Sequence, residues 1–271
     1  MDFNLNEWLN LIVRWVHVFA GILWIGATYH FAWLDRTLHA SQAAATDGAP
    51  GTVWMVHSGG FYLVEKQKIP KLMPTKLHWF RWEAAITWVS GFVLLAVVYY
   101  AGGAVLIDDS VSSLSVPQGI ALGIGLLVVA WFAYDLFWRS PLGANELVGA
   151  ALCYLLLEGI TFALTRVYSG RAAYIHVGAM MGTLMAANVW VRILPAQRQL
   201  VAALNAGLPP DPALGERAKQ RSKHNTFMIV PVVFIMISNH FPSTYGSDHP
   251  WAVLGVLILA GWAAAKIMRE Q

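Results

Sequence analysis

The chain has 271 residues, of which 57% are hydrophobic and 12% charged, with 13 Trp, 12 Phe and 9 Tyr. An ordinary soluble domain carries roughly 25% charged residues, and a disordered chain lacks this much apolar surface to bury, so both classes are excluded. The 18 Lys and Arg stand against 15 Asp and Glu, too small an excess to track a phosphate backbone, and nucleic acid is not an expected partner.

The opening MDFNLNEW is acidic and polar and lacks the basic region and small-residue cleavage site of a signal peptide. The first apolar stretch is therefore expected to remain as a span. A crossing needs about 20 apolar residues for roughly 30 Å of hydrocarbon. Seven segments qualify, at about 9–33, 80–101, 118–138, 145–165, 172–192, 223–241 and 250–267. The expected fold is all-α, a polytopic bundle forming one integral membrane domain over 1–271. Residues 84–107 and 110–134 contain no Asp, Glu, Lys or Arg. Pro231, inside the sixth segment, is expected as a kink that a packed bundle tolerates.

Two connections are long, at about 34–79 and 193–222. Residues 40–52 are expected to be flexible, and VWMVHSGGFYLVEKQKIPKLMP, with a Gly pair between β-favouring runs, predicts a short hairpin. Residues 196–222 predict an amphipathic surface helix and a break at LPPDP. With residues at the span edges counted, Lys and Arg number six from Arg36 to Arg81 and six from Arg192 to Lys223, against none between the second and third spans or the sixth and seventh. The positive-inside rule then places the N-terminus outside, and the C-terminus and both long loops in the cytoplasm.

Titratable groups in lipid are costly and point to function. They fall into two tiers. Arg14, His17, Glu158, His176 and His240 lie in the outer half. His30, His78, Arg81, Glu83, Asp135, Arg139, Asn145, Glu146, Asn188, Arg192, His224 and Asn225 lie toward the cytoplasmic end. His17, Gly21, Trp24 and Thr28 share one helical face, and His176 is followed by Gly178 and Gly182. Two imidazoles projecting from facing helices into an apolar interior are what a bis-histidine haem b requires. His240 competes for either place. The inner tier suits a small polar anion, with Arg as a fork for an oxyanion and His or Glu as proton acceptor. The single Cys153 can form no internal disulfide, and the absence of CxxCH excludes covalent haem attachment.

The strings WVHVFAGILWIGATYHF, HSGGFYLVEK, LHWFRWEAAITWVSG and HNTFMIVPVVFIMISNH resemble the membrane domain of the PuuD-type membrane-bound urate oxidases over nearly the whole chain. That resemblance implies oxidation of urate to 5-hydroxyisourate in purine catabolism, at a bacterial inner membrane. The cytochrome c domain that commonly follows in that family is not among these residues. It implies in turn a separate cytochrome c or another respiratory acceptor, or a longer product. On this basis Arg81 and Asn225 are expected to hold urate with Asp135 and Asn188 beside them, and Glu83 or His224 to accept a proton. His17 and His176 are expected to ligate one haem b, and a second haem is placed near His78 or His224. The competing expectations are a transmembrane b-type cytochrome acting only as electron carrier, and a small-molecule or metal transporter.

Overall fold

The computed structural model describes residues 4–44, 50–67, 70, 74–102 and 106–270. It is an all-α bundle. The first helix, α1 (Leu5–Ala44), has 40 residues and so a length of about 60 Å at 1.5 Å per residue. That is twice the hydrocarbon thickness, and the helix runs on past the membrane. Residues 40–44, expected to be flexible, continue α1 because Ala and Gln favour helix and neither Gly nor Pro interrupts them. Residues 45–49 of the same expected loop lie outside the described residues.

The hairpin forms, with β1 (Thr52–His57) antiparallel to β2 (Gly60–Glu65). Ser58 and Gly59 close it with φ of 50° and 75°, the positive pair that matches a two-residue turn to strand twist. Val53, Met55 and Val64 pack on Leu34 and Leu38 of α1, and Lys66 pairs with Asp35 at 2.6 Å.

The remaining helices are α2 (Trp82–Leu95), α3 (Val116–Arg139), α4 (Glu146–Leu164), α5 (Gly170–Ala187), α6 (Leu194–Asn205), α7 (Pro212–Ser238), α8 (Pro242–Tyr245) and α9 (Pro250–Glu270). A π-helical segment, Ala96–Tyr100, prolongs α2, and a second, Asn188–Ile193, joins α5 to α6. The helix starts are written in the sequence. Asn145 Oδ1 accepts from the amides of Leu147 and Val148 at 3.0 and 3.1 Å, and Asp211 Oδ1 from Ala213 N–H at 2.9 Å, as N-caps do. The expected helix and its break at LPPDP both form over 196–222. The first part prolongs the fifth span as α6, and after Gly207 (φ 69°) and two prolines the second part opens α7.

Among the described residues six helices are long and apolar enough to cross a membrane. Helix α7 is not one of them, because Glu216, Arg217, Lys219, Arg221 and Lys223 crowd its first half. Its contacts nevertheless carry it through the full depth of the bundle. Arg221 meets Asp135 near the end of α3, and Asn239, just past the end of α7, accepts from Arg171 at the start of α5. At the basic end, taken as cytoplasmic from the loop charges, Arg36 donates to the carbonyl of Arg269 at 2.8 Å, so α1 and α9 finish on one side. With α7 crossing, seven passages bring them there. Pro231 is received by α9 at Gly261, where a Cβ would stand 2.9 Å from the proline ring.

Helix α5 is the hub. Tyr174, His176, Val177, Met180 and Met181 are all buried, whereas α1 exposes Trp15, Phe19 and Ile22 along its length. With no hydrophobic drive between helices inside lipid, small and polar residues at the contacts hold such a bundle together.

Candidate functional site

At the inner end, α3, the π-helical segment and α7 bring a polar cluster together. Asp135 of α3 is buried and binds Arg192 through both carboxylate oxygens, Nε to Oδ1 at 2.7 Å and Nη2 to Oδ2. Arg221 Nη2 donates to Oδ1 at 3.0 Å and to the Asp135 carbonyl at 3.3 Å, and Arg139 adds a longer contact at 3.6 Å. Three guanidiniums thus face one carboxylate. The cluster carries an excess of positive charge, with Arg221 and Asp135 buried, Arg192 partly exposed and Arg139 exposed.

A neutral chain adjoins it. Asn188 Nδ2 donates to the Tyr134 hydroxyl at 3.0 Å and to Asn225 Oδ1 at 2.9 Å, and Asn225 Nδ2 donates to the Met185 carbonyl at 3.0 Å. Tyr134, receiving the amide proton, donates its own to His224 Nδ1 at 2.7 Å. The neutral His224 ring therefore carries its proton on Nε2 and offers a donor there. Trp138 lies against that ring at 4.2 Å between centroids, and Arg221 sits over the Tyr134 ring at 4.8 Å. Three buried atoms here have no hydrogen-bond partner, the donors Arg221 Nη1 and Trp138 Nε1 and the acceptor Asn188 Oδ1. Buried polar atoms are nearly always satisfied, so these are the open valences of the cluster. A cleft of about 440 Å³ lies on the same face, lined by Glu146, Glu216, Arg217, Lys219, Gln220, Lys223 and Arg269, with Lys223 and Glu146 paired across it.

The expected residues divide. Asp135, Asn188, His224 and Asn225 converge here, but the amide of Asn225 is spent on the protein itself. Arg81 and Glu83 open α2 instead, with Arg81 over the Trp82 ring at 5.3 Å. Trp82 meets Trp190 at 6.0 Å, and Ala84 packs with Val189 and Leu194. The π-helical segment thus turns Val189 and Trp190 toward α2, and Asn188 and Arg192 toward α3 and α7. Arg81 stands on the Trp190 side of this segment and Asn225 on the Asn188 side. His78 is exposed ahead of α2 and packs edge-on to Phe80.

The outer histidines have different partners. His17 lies against α2, its Nδ1 2.9 Å from the Thr87 carbonyl and 3.2 Å from Ser90 Oγ. A carbonyl only accepts, so Nδ1 carries the proton and Nε2 presents its lone pair. Gly91 makes room, since a Cβ there would stand 2.9 Å from the ring. His176 is fully buried, with Nδ1 on the Ala172 carbonyl at 2.8 Å and Nε2 on the Tyr100 hydroxyl at 3.0 Å. Tyr168 stacks on it at 4.4 Å, and a Cβ on Gly123 would stand 2.7 Å from Nε2. The two rings meet the second span at Gly91 and Tyr100, nine residues and about 14 Å of helix rise apart. His17 has the donor arrangement of a haem ligand, a carbonyl-bound Nδ1–H and an open Nε2. His176 has both nitrogens engaged and no space for a porphyrin, so the expected pair does not fit one haem in this packing. His240 is exposed beyond the end of α7. Among the described residues no group of three or more His, Cys, Asp and Glu is arranged to hold a metal ion.

Arg221 and Tyr134 are the members that sequence inspection passed over. Arg221 falls three and four residues before His224 and Asn225 and so shares their helical face, a signal hidden because it also counts as one of the basic residues of the long connection before the sixth span.

Fold and site together define a multi-pass helical membrane protein with a buried, cationic polar cluster near one end. The family described as Urate oxidase N-terminal matches residues 4–270, and the chain belongs to that family. No curated protein and no solved structure matches it.

Proposed function

We propose that the chain is a membrane-bound oxidoreductase of the bacterial inner membrane that oxidises urate to 5-hydroxyisourate in purine catabolism, taking urate from the cytoplasmic side. The observation that carries this is the unpaired couple of Arg221 Nη1 and Asn188 Oδ1 in a cluster with surplus positive charge. Urate near neutral pH is a planar monoanion whose edge alternates carbonyl and N–H groups. It supplies the acceptor that Arg221 lacks, the donor that Asn188 lacks and the negative charge the cluster lacks. The family's name, urate oxidase, points the same way.

In this site Arg221 and Asn188 orient the ring, and His224 Nε2–H donates to a substrate oxygen. Asp135 holds Arg192 and Arg221 in place as a positioning residue. Urate and water yield 5-hydroxyisourate, two protons and two electrons, the oxygen coming from water. Glu83, half-buried in the first turn of α2, is proposed as a proton acceptor near the same level of the membrane, reached through the inner aqueous face. The electrons leave to a cytochrome c or another respiratory acceptor. His17 is the side chain prepared to hold a haem b, which when bound supplies one-electron transfer.

The test is anaerobic addition of urate to the purified full chain with an artificial one-electron acceptor. Saturable binding and acceptor reduction that depend on urate are expected. Failure of urate both to bind and to reduce the acceptor overturns the proposal. Acceptor reduction by a quinol or partner protein, without urate binding, would instead assign the chain as a b-type electron carrier, the role that the open Nε2 of His17 favours.

A further inference from the structure

Glu158 takes no part in the chemistry above, yet its placement is costly. It lies twelve residues beyond Glu146 on α4 and six before Leu164, about 18 Å from the inner end and about 9 Å from the outer end of the helix. Its carboxyl group faces α9 at Gly255, where a Cβ would fall 2.5 Å from Oε2 and 2.6 Å from Oε1. The glycine lets the carboxyl lie against the α9 backbone, and a Cβ there would displace it. Oε1 is buried and has no hydrogen-bond partner. Along the same seam Phe162 meets Trp251 at 5.7 Å, one turn outward, and Tyr154 meets Trp262 at 5.8 Å, one turn inward. The half-buried acid lies between two aromatic pairs along the seam.

Among the described residues no cation pairs with it. The titratable groups on the helices packed against α4 are Arg171, Tyr174 and His176 on α5 and Lys266, Arg269 and Glu270 on α9. Arg171 is bound to Asn239, and His176 is turned to Tyr100. Lys266 is paired with Glu270 at the inner end, and Arg269 lies over Phe227. Tyr174 is the nearest, and its hydroxyl donates to the Pro250 carbonyl at 2.6 Å. An ionised carboxylate so placed would have neither water nor counter-charge.

We propose that Glu158 is a proton-carrying site in the outer half of the bundle. It holds its proton while the α4–α9 seam is closed and releases it to water on the outer side when the seam opens, leaving a carboxylate and a hydrated proton. The proposal rests on the helix packing and not on the identity of the substrate.

In membranes holding the full chain, an apolar carbodiimide, which adds to protonated carboxyl groups in contact with hydrocarbon, is expected to modify the peptide carrying residue 158. The yield should fall as the pH is raised, and Glu158→Gln should abolish the adduct while leaving the protein level unchanged. Gly255→Ala displaces the carboxyl and is expected to change the labelling rate severalfold. The infrared difference between the parent and Glu158→Gln should contain a protonated-carboxyl band that moves in D₂O. An unlabelled Glu158 at neutral pH, or an infrared difference without that band, overturns the proposal.

Discussion

The polar groups around His176 and those around Asp135 lie in the same bundle, and both are rooted in the helix that begins at Gly170. They differ in how completely they are satisfied. Around His176 the groups are neutral, each ring nitrogen has a partner, and Tyr168, Tyr100 and Gly123 close the space. Around Asp135 one carboxylate faces three arginines, and two donors and an acceptor are left over. A closed network stabilises and specifies packing, whereas unfilled valences leave places for a further partner. The proposed urate site rests on that difference and not on polar content alone.

The largest effect that would break this contrast is at Asp135. Asp135→Asn leaves Arg221 and Arg192 without their counter-charge, and the loss of one partner from a buried pair costs about 3–5 kcal/mol. The full chain in detergent should show a sharply lower unfolding temperature or fail to accumulate. Next is Arg221→Lys, which keeps a cation near Asp135 but removes the spare Nη1. A lost hydrogen bond to a charged group is worth about 1.5–3 kcal/mol, so urate binding measured by calorimetry should weaken by roughly tenfold or more, while His176→Gln leaves it unchanged. Equal losses in the two variants would erase the distinction between the regions.

Packing supplies the third comparison. Gly123→Ala introduces a methyl at 2.6 Å from the Tyr100 hydroxyl, and overpacking of this kind costs about 1–3 kcal/mol. It should lower the unfolding temperature without altering urate affinity. If the purified chain carries a b-type haem, His17→Ala should remove or shift its Soret band and His176→Ala should leave the band in place, as an optical spectrum would show. The smallest effect belongs to the exposed Lys66 and Asp35 pair, where Lys66→Ala should change stability by no more than about 1 kcal/mol.

Much of the fold was legible in the chain. Apolar run lengths locate the spans, and the Gly pair locates the hairpin. The end of α1 was not legible, because residues 40–44 have a polar loop's composition and a helix's propensity. For the site, Asp135, Asn188, His224 and Asn225 stood out as polar groups at membrane depth. Arg221 did not, since a basic residue near a cytoplasmic end looks the same in sequence whether it reaches water or turns inward. The division of Arg81 from Asn225 was also hidden, because it depends on which way each side of the Asn188–Ile193 segment faces.

Sequence by itself determined that this chain lives in a bilayer, and by its basic loops which way round it is expected to sit. These follow from sums over many residues, the transfer cost of apolar and charged groups, which need no knowledge of neighbours. Only the tertiary structure decided which imidazole has an open nitrogen, which arginine is short of a partner and which acid faces a glycine. Those properties belong to pairs of groups on different helices, and their distances are set when the helices pack.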